Sequence, residues 1–243
     1  MERDKHVAVV ADSGTSMRFD SPEARELGVT VVPLEIKFFE HGEYVPYSDA
    51  NIENDDFYER MGSSEKLPQT SGNIPYPFLE TYRKLKDKAE SIISIHITSK
   101  HSGVCEAATL AKKYLQDEAG PKINIEIVDS KLVSIPAWFP VKTAGLASKR
   151  GATIQEIKDE VIEVISKTQL FVTLETFDNL RKGGRGDEII KAIFASVLSI
   201  YPVLGFVDGK LKDLAKARTV QKARDQMIQM VGDAGKLVRL AVV

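Results

Sequence analysis

Ser102 and Gly103, in the stretch SKHSGV, stand where an apolar run gives way to a helical pattern, and residues of this type at such a turn do one of two kinds of chemistry. The serine attacks a substrate, which requires a base within hydrogen-bond reach, or its hydroxyl joins backbone N–H groups in holding an anion. His101 is the adjacent base. Neighbouring residues on a turn rarely face one another, however, and the G-x-S-x-G pattern of a nucleophile elbow is absent. An anion grip needs less: free N–H groups at the start of a helix, a hydroxyl, and a glycine that lets the ligand approach the backbone. A phosphate or a carboxylate is the expected guest, and a plain helix cap is the alternative.

Other residues could share this chemistry. Thr70 and Ser71 place two hydroxyls in the Pro- and Gly-rich stretch LPQTSGNIPYP, which reads as a loop. Asp12 and Ser13 close the first apolar run. Arg185, in KGGRG, follows two glycines; it could clamp a carboxylate or phosphate or lock two domains together, although Gly183 alone reads as a helix C-cap. His6, His41 and His96 lack the spacing of a metal site, and no metal or cofactor is expected. Cys105, the only cysteine, excludes an intrachain disulfide, as suits a reducing cytoplasm, and reads as a small packing residue.

The elements that must position these residues alternate. Strands are expected at HVAVVA, VTVVPLEIKFF, residues 93–97 and INIEIVDS. Helices are expected at SPEARELG, capped by Ser21 and stopped by Gly28, at NDDFYERMG, at YPFLETYRKLKDKAE and after Ser102, and the segment from Pro136 to Lys149 follows. This order predicts an α/β domain over residues 1–160, a doubly wound, mainly parallel sheet with helices on both faces. From 161 to 243 the pattern becomes α+β: LFVTLE, a core helix at DEIIKAIFASVLSI, two strands joined by Asp208-Gly209, a helix near 219–232 and a last strand, LVRLAVV. The helix between the two domains opens with a Thr153/Glu156 capping box. Because buried strands are normally followed by something that covers them, the final apolar run predicts a further segment.

Composition excludes several functions. With 33 basic and 35 acidic residues the 243-residue chain has no overall charge that favours nucleic acid. Lys210, Lys212, Lys216, Arg218, Lys222 and Arg224 lack interleaved aromatics and read as a solvated face. No apolar stretch nears the roughly 20 residues of a bilayer span, nor does the start look like a signal peptide, so a cytoplasmic protein is expected.

Taken in order, VVADSGTSM, LGVTVVPLEI, LPQTSGNIPYPF, SKHSGVCEAA, IVDSKLVS, LRKGGRG and IYPVLGFVDGKLKDLAKART resemble the motifs of the DegV family of bacterial fatty-acid-binding proteins. The resemblance implies a non-catalytic protein with a long-chain fatty acid, of palmitate or oleate type, in a cleft between two domains. It also implies a partner, the catalytic subunit of a fatty acid kinase, which phosphorylates the presented carboxylate so that the acyl phosphate enters phospholipid synthesis. Contact with a membrane surface would accompany lipid exchange. By motif, Thr70 and Ser102 would hydrogen-bond the carboxylate and Arg185 would lie near it, with Ser71, Gly103 and His101 as further expected ligand contacts. The chain departs from the family pattern at Asn73, His101, Val104 and Tyr201. His101 is expected to stand in for a histidine that the family carries further along. Two other readings remain open: an enzyme using Asp12 and Arg185 on a small carboxylated or phosphorylated substrate, and a paralogue without a working site.

Overall fold

The computed structural model describes residues 4–119, 123–174, 176, 178–183 and 200–242. Chain contacts divide it into two compact units, Met1–Thr168 and Gln169–Val243.

The first unit is built on a parallel sheet in the order β2-β1-β6-β7, where β1 is Asp4–Asp12, β2 Val29–Val32, β6 Ala89–His96 and β7 Asn124–Asp129. Alternation along the strands assigns side chains to two faces. Val7, Val9, Ala11, Ile93 and Ile95 face one core with helices α1 (Pro22–Leu27), α5 (Ser134–Lys149) and α6 (Ile154–Lys167). Ala8, Val10 and Ile92 face the other with α3 (Tyr76–Leu85) and α4 (Val104–Ala119). Both faces are covered, which is why these strands read as near-continuous apolar runs. The helix starts follow their sequence signals: Ser21 accepts from the Ala24 N–H, and the Thr153/Glu156 capping box forms.

A second, antiparallel sheet in this unit was not expected. Its order is β4-β3-β5, with β3 at Glu35–Glu40, β4 at Glu43–Ser48 and β5 at Gln69–Ser71, and α2 (Asn54–Ser63) lies between β4 and β5 in the chain. It corrects two expectations. VTVVPLEIKFF is two strands in different sheets, divided at Pro33, which has no N–H to continue a ladder. Thr70 and Ser71 lie in a strand, because the ladder with β3 pairs Thr70 with Ile36 and Ser71 with Glu35. His41 and Gly42, both at positive φ, make the tight turn between β3 and β4.

In the second unit β8 (Phe171–Thr173), β9 (Tyr201–Val207) and β10 (Lys210–Ala217) form an antiparallel sheet, with Asp208-Gly209 as the two-residue hairpin turn. A short helix, α7 (Asp178–Lys182), follows β8, and α8 (Val220–Asp233) packs Ala223 against Val203 and Ala217. The described residues 237–242 are not a strand: they are exposed and join no ladder among the described residues. The helix expected at DEIIKAIFASVLSI lies outside the described residues. The six basic residues from Lys210 to Arg224 are exposed, as a solvated face requires.

Candidate functional site

The chain passes from β1 to β2 on one side and returns on the other with β6, so the strand order reverses between β1 and β6. In open α/β sheets the crevice outside the carboxyl ends of the strands at such a point is where ligands bind. β6 runs there into residues 97–103 and then into α4. This turn is tied along its length: the Ile97 N–H donates to Asp12 Oδ2 at 3.1 Å, the Thr98 N–H to the Leu132 carbonyl at 2.9 Å, and the Ser99 hydroxyl to Asp129 Oδ2 at 2.6 Å. The His101 N–H donates to the Thr98 carbonyl at 3.3 Å, which closes the turn.

At its end Ser102 Oγ accepts from the Val104 N–H at 3.4 Å, a weak cap, and the Ser102 hydroxyl donates to no described residue. The first helical bond runs from the Ala107 N–H to the Gly103 carbonyl at 2.9 Å, so the N–H groups before it have no partner one turn back. The two motifs predicted to share a ligand meet here. A Cβ on Gly72 would lie 2.8 Å from Ser102 Oγ, and one on Gly103 would lie 3.1 Å from Asn73 Cβ. The residues just after Thr70 and Ser71 therefore rest directly on the Ser102-Gly103 turn. Ser71, His101, Ser102 and Gly103 are half-buried and Thr70 is exposed. Arg185 lies outside the described residues.

Beneath the turn lies a buried polar group that the sequence reading missed as a unit. Asp12 Oδ2 is 3.0 Å from His96 Nδ1, His96 Nε2 is 2.8 Å from Ser94 Oγ, and the Tyr82 hydroxyl donates to Ser94 Oγ at 2.9 Å. The Phe78 ring meets the imidazole edge to face. Asp12, Ser94 and His96 are wholly buried, and Asp12 Oδ1 has no partner among the described residues. A signal was available: Ser94 and His96 share the strand phase of the buried Ile92, so two polar side chains point into a core.

Asp49 lies further along the same edge. Burial pushes its carboxyl above the usual carboxylate range and the nearby Asp12 adds to this, against hydrogen bonds from the Ser13 hydroxyl and the Leu34 N–H. Asp49, Ser13, Ser16, Ile36, Ile52 and Phe57 are among the residues lining a recess of about 400 Å³. Among the described residues no three His, Cys, Asp or Glu side chains group as metal ligands, and no helix is long and apolar enough to cross a membrane.

Cys105, in the first turn of α4, is buried, and burial pushes its thiol up to about 12, with Asp129 and Asp12 adding to the shift. At pH 8 its thiolate fraction is on the order of one in ten thousand. The folded chain is therefore expected to resist maleimide and to be labelled fully once denatured, as read by intact mass; rapid labelling of the native protein would contradict this placement.

Fold and site together define a two-unit α/β protein with an anion-compatible turn at the switch point of its parallel sheet. Residues 6–243 match the family model described as an uncharacterised protein of the DegV family, and the chain belongs to that family. It is 34% identical over 220 residues to the DegV domain-containing protein BH3627 of Halalkalibacterium halodurans, covering 89% of this chain and 73% of the relative. To YejH of Lactococcus lactis it is 30% identical over 236 residues, covering 96% and 80%. Among solved structures, a DegV family protein from Thermus thermophilus described for its fatty acid binding superposes with a TM-score of 0.77 at 25% identity, covering 94% of this chain and 78% of that one. A DegV family protein from Ruminococcus gnavus described with vaccenic acid gives 0.78 at 25% identity, covering 95% and 79%.

Proposed function

We propose that this chain binds a long-chain fatty acid non-catalytically and holds its carboxylate at the Ser102 turn for phosphorylation by a separate kinase. The observation that carries the reading is the contact of Gly72 with Ser102, which joins the two hydroxyl-bearing motifs at one helix start. A carboxylate drawn out of water needs donors, and the Ser102 hydroxyl, which donates to no described residue, supplies one beside the N–H groups at the start of α4, of which the Val104 N–H would leave only its weak bond to Ser102 Oγ. Thr70, Ser71 and Gly103 complete the grip and His101 flanks it; a part for Arg185 at the head group follows from the family resemblance alone. The fatty-acid-binding relatives from Thermus thermophilus and Ruminococcus gnavus support the ligand class. The kinase partner follows from the family resemblance alone, as does contact with a membrane during lipid exchange.

Mass spectrometry of an organic extract of the purified, denatured protein tests the ligand. One fatty acid per chain is expected, and Ser102→Ala is expected to weaken oleate binding by about tenfold, the loss of one charge-assisted hydrogen bond. No fatty acid in the extract and no uptake of added oleate or palmitate would overturn the reading. Acyl phosphate formed only when the loaded chain is mixed with ATP and a kinase subunit would separate presentation from catalysis.

A further inference from the structure

The four buried side chains at the switch point fix one another's protons. Asp12 Oδ2 already accepts the Ile97 N–H, so it faces His96 Nδ1 as an acceptor and the ring proton on that side sits on Nδ1. A neutral ring then leaves Nε2 as an acceptor, and the Ser94 hydroxyl must donate to it. With its one proton committed, Ser94 Oγ accepts from the Tyr82 hydroxyl, the direction its geometry also gives. Burial raises the Tyr82 phenol well above its ordinary value, so it remains a donor. An imidazolium would leave one hydrogen over: Nε2–H and the Tyr82 hydroxyl would both point at Ser94 Oγ, and the Ser94 hydrogen would be buried with no acceptor among the described residues.

We infer that the series Tyr82 to Ser94 to His96 to Asp12 holds His96 as the neutral Nδ1–H tautomer and that Asp12, so oriented, positions the Ser102 turn through the Ile97 N–H. Asp12 and His96 are thus positioning residues for the carboxylate grip, a role that rests on the fatty-acid reading of that turn. The Ile97 N–H is where the turn leaves the sheet, and Cys105, in the first turn of α4, closes on the Ile97 carbonyl at 3.5 Å. A rotation of the Asp12 carboxylate is therefore felt at both ends of the segment that carries Ser102. Leaving Asp12 Oδ1 buried and unpaired is unfavourable, and the geometry accepts that cost while keeping Oδ2 doubly bonded.

Two measurements test this on the 243-residue chain. Nitrogen-15 NMR of the histidine rings at neutral pH is expected to show His96 protonated at Nδ1 and bare at Nε2. Protonation at Nε2, or at both nitrogens, would overturn the inference and leave the ligand reading untouched. The second compares two amide replacements. His96→Asn places an N–H near the Nδ1 position and keeps the bond to Asp12, whereas His96→Gln places its amide near Nε2 and loses it. Oleate affinity is expected to stay within about threefold for His96→Asn and to fall by about tenfold or more for His96→Gln. A residue that merely filled space would favour the larger glutamine, so equal affinities or the reverse order would overturn the positioning role. If His96→Gln does not fold, the wild-type ring nitrogens and the His96→Asn affinity still decide the matter. A wild-type chain that takes up no oleate removes the ligand reading and the positioning role together, while the NMR result still settles the tautomer.

Discussion

Replacing Gly72 with alanine is expected to lower oleate affinity by about 10- to 100-fold while the protein stays folded. The added Cβ would sit 2.8 Å from Ser102 Oγ and 2.8 Å from Val104 Cγ2. Ser102 could swing its hydroxyl away, but Val104 is wholly buried in the core shared by α3 and α4 and cannot yield in the same way. The strain is therefore relieved by lifting the end of β5 off the turn. That moves Thr70 and Ser71 away from Ser102 and would break the proposed carboxylate grip at the point where its two halves meet. The stability cost is that of a local overpacking, about 1–3 kcal/mol. Calorimetric titration with oleate and thermal unfolding read the two effects separately. Gly62→Ala is the control: it lies in α2 with nothing within 4 Å of the new methyl, and it should leave affinity unchanged while adding up to about 1 kcal/mol of stability. Unchanged affinity in Gly72→Ala would mean that the Thr70-Ser71 strand does not take part in holding the ligand.

The halves of this site differ in how well they could be read from sequence. Ser102 and Gly103 were legible because strand phase, turn and helix phase follow one another within a dozen residues, and the caps at Ser21 and Thr153 announced themselves in the same local way. The assignment of Thr70 and Ser71 to a strand was not, because β5 is three residues long and exists only through its ladder to β3, more than 30 residues earlier. Pro33 shows the same limit. The residues on both sides of it are apolar and β-prone, and only the tertiary partners decide that β2 joins the parallel sheet and β3 the antiparallel one. The Asp12–His96 pair joins residues 84 apart that become neighbours solely because β1 and β6 lie side by side at the switch point. Polar residues in a buried strand phase flag that something must satisfy them. They do not say what.

In the second unit Gly205→Ala is expected to cost about 3 kcal/mol or more, the upper end of what overpacking does to a closed core. Gly205 lies in β9 between both neighbours, opposite Phe171 on β8 and Lys212 on β10. A Cβ there would meet Leu214 Cδ1 at 2.6 Å and the Leu170 carbonyl oxygen at 2.7 Å. The leucine methyl can turn aside. The carbonyl belongs to the backbone that leads into β8, so it moves only if that strand moves. β8 is three residues long, and the core it helps to close has Val203, Ala217 and Ala223 as its buried members among the described residues. So small a core has little reserve against the loss of a strand. Hydrogen exchange should then show the β9 and β10 amides losing protection while those of β1 and β6 keep theirs. Gly232→Ala, in α8 with nothing within 4 Å, should leave both sets as they are. Full protection of β9 in Gly205→Ala would mean that β8 can shift without loss, and that the second unit does not depend on the close approach at Gly205.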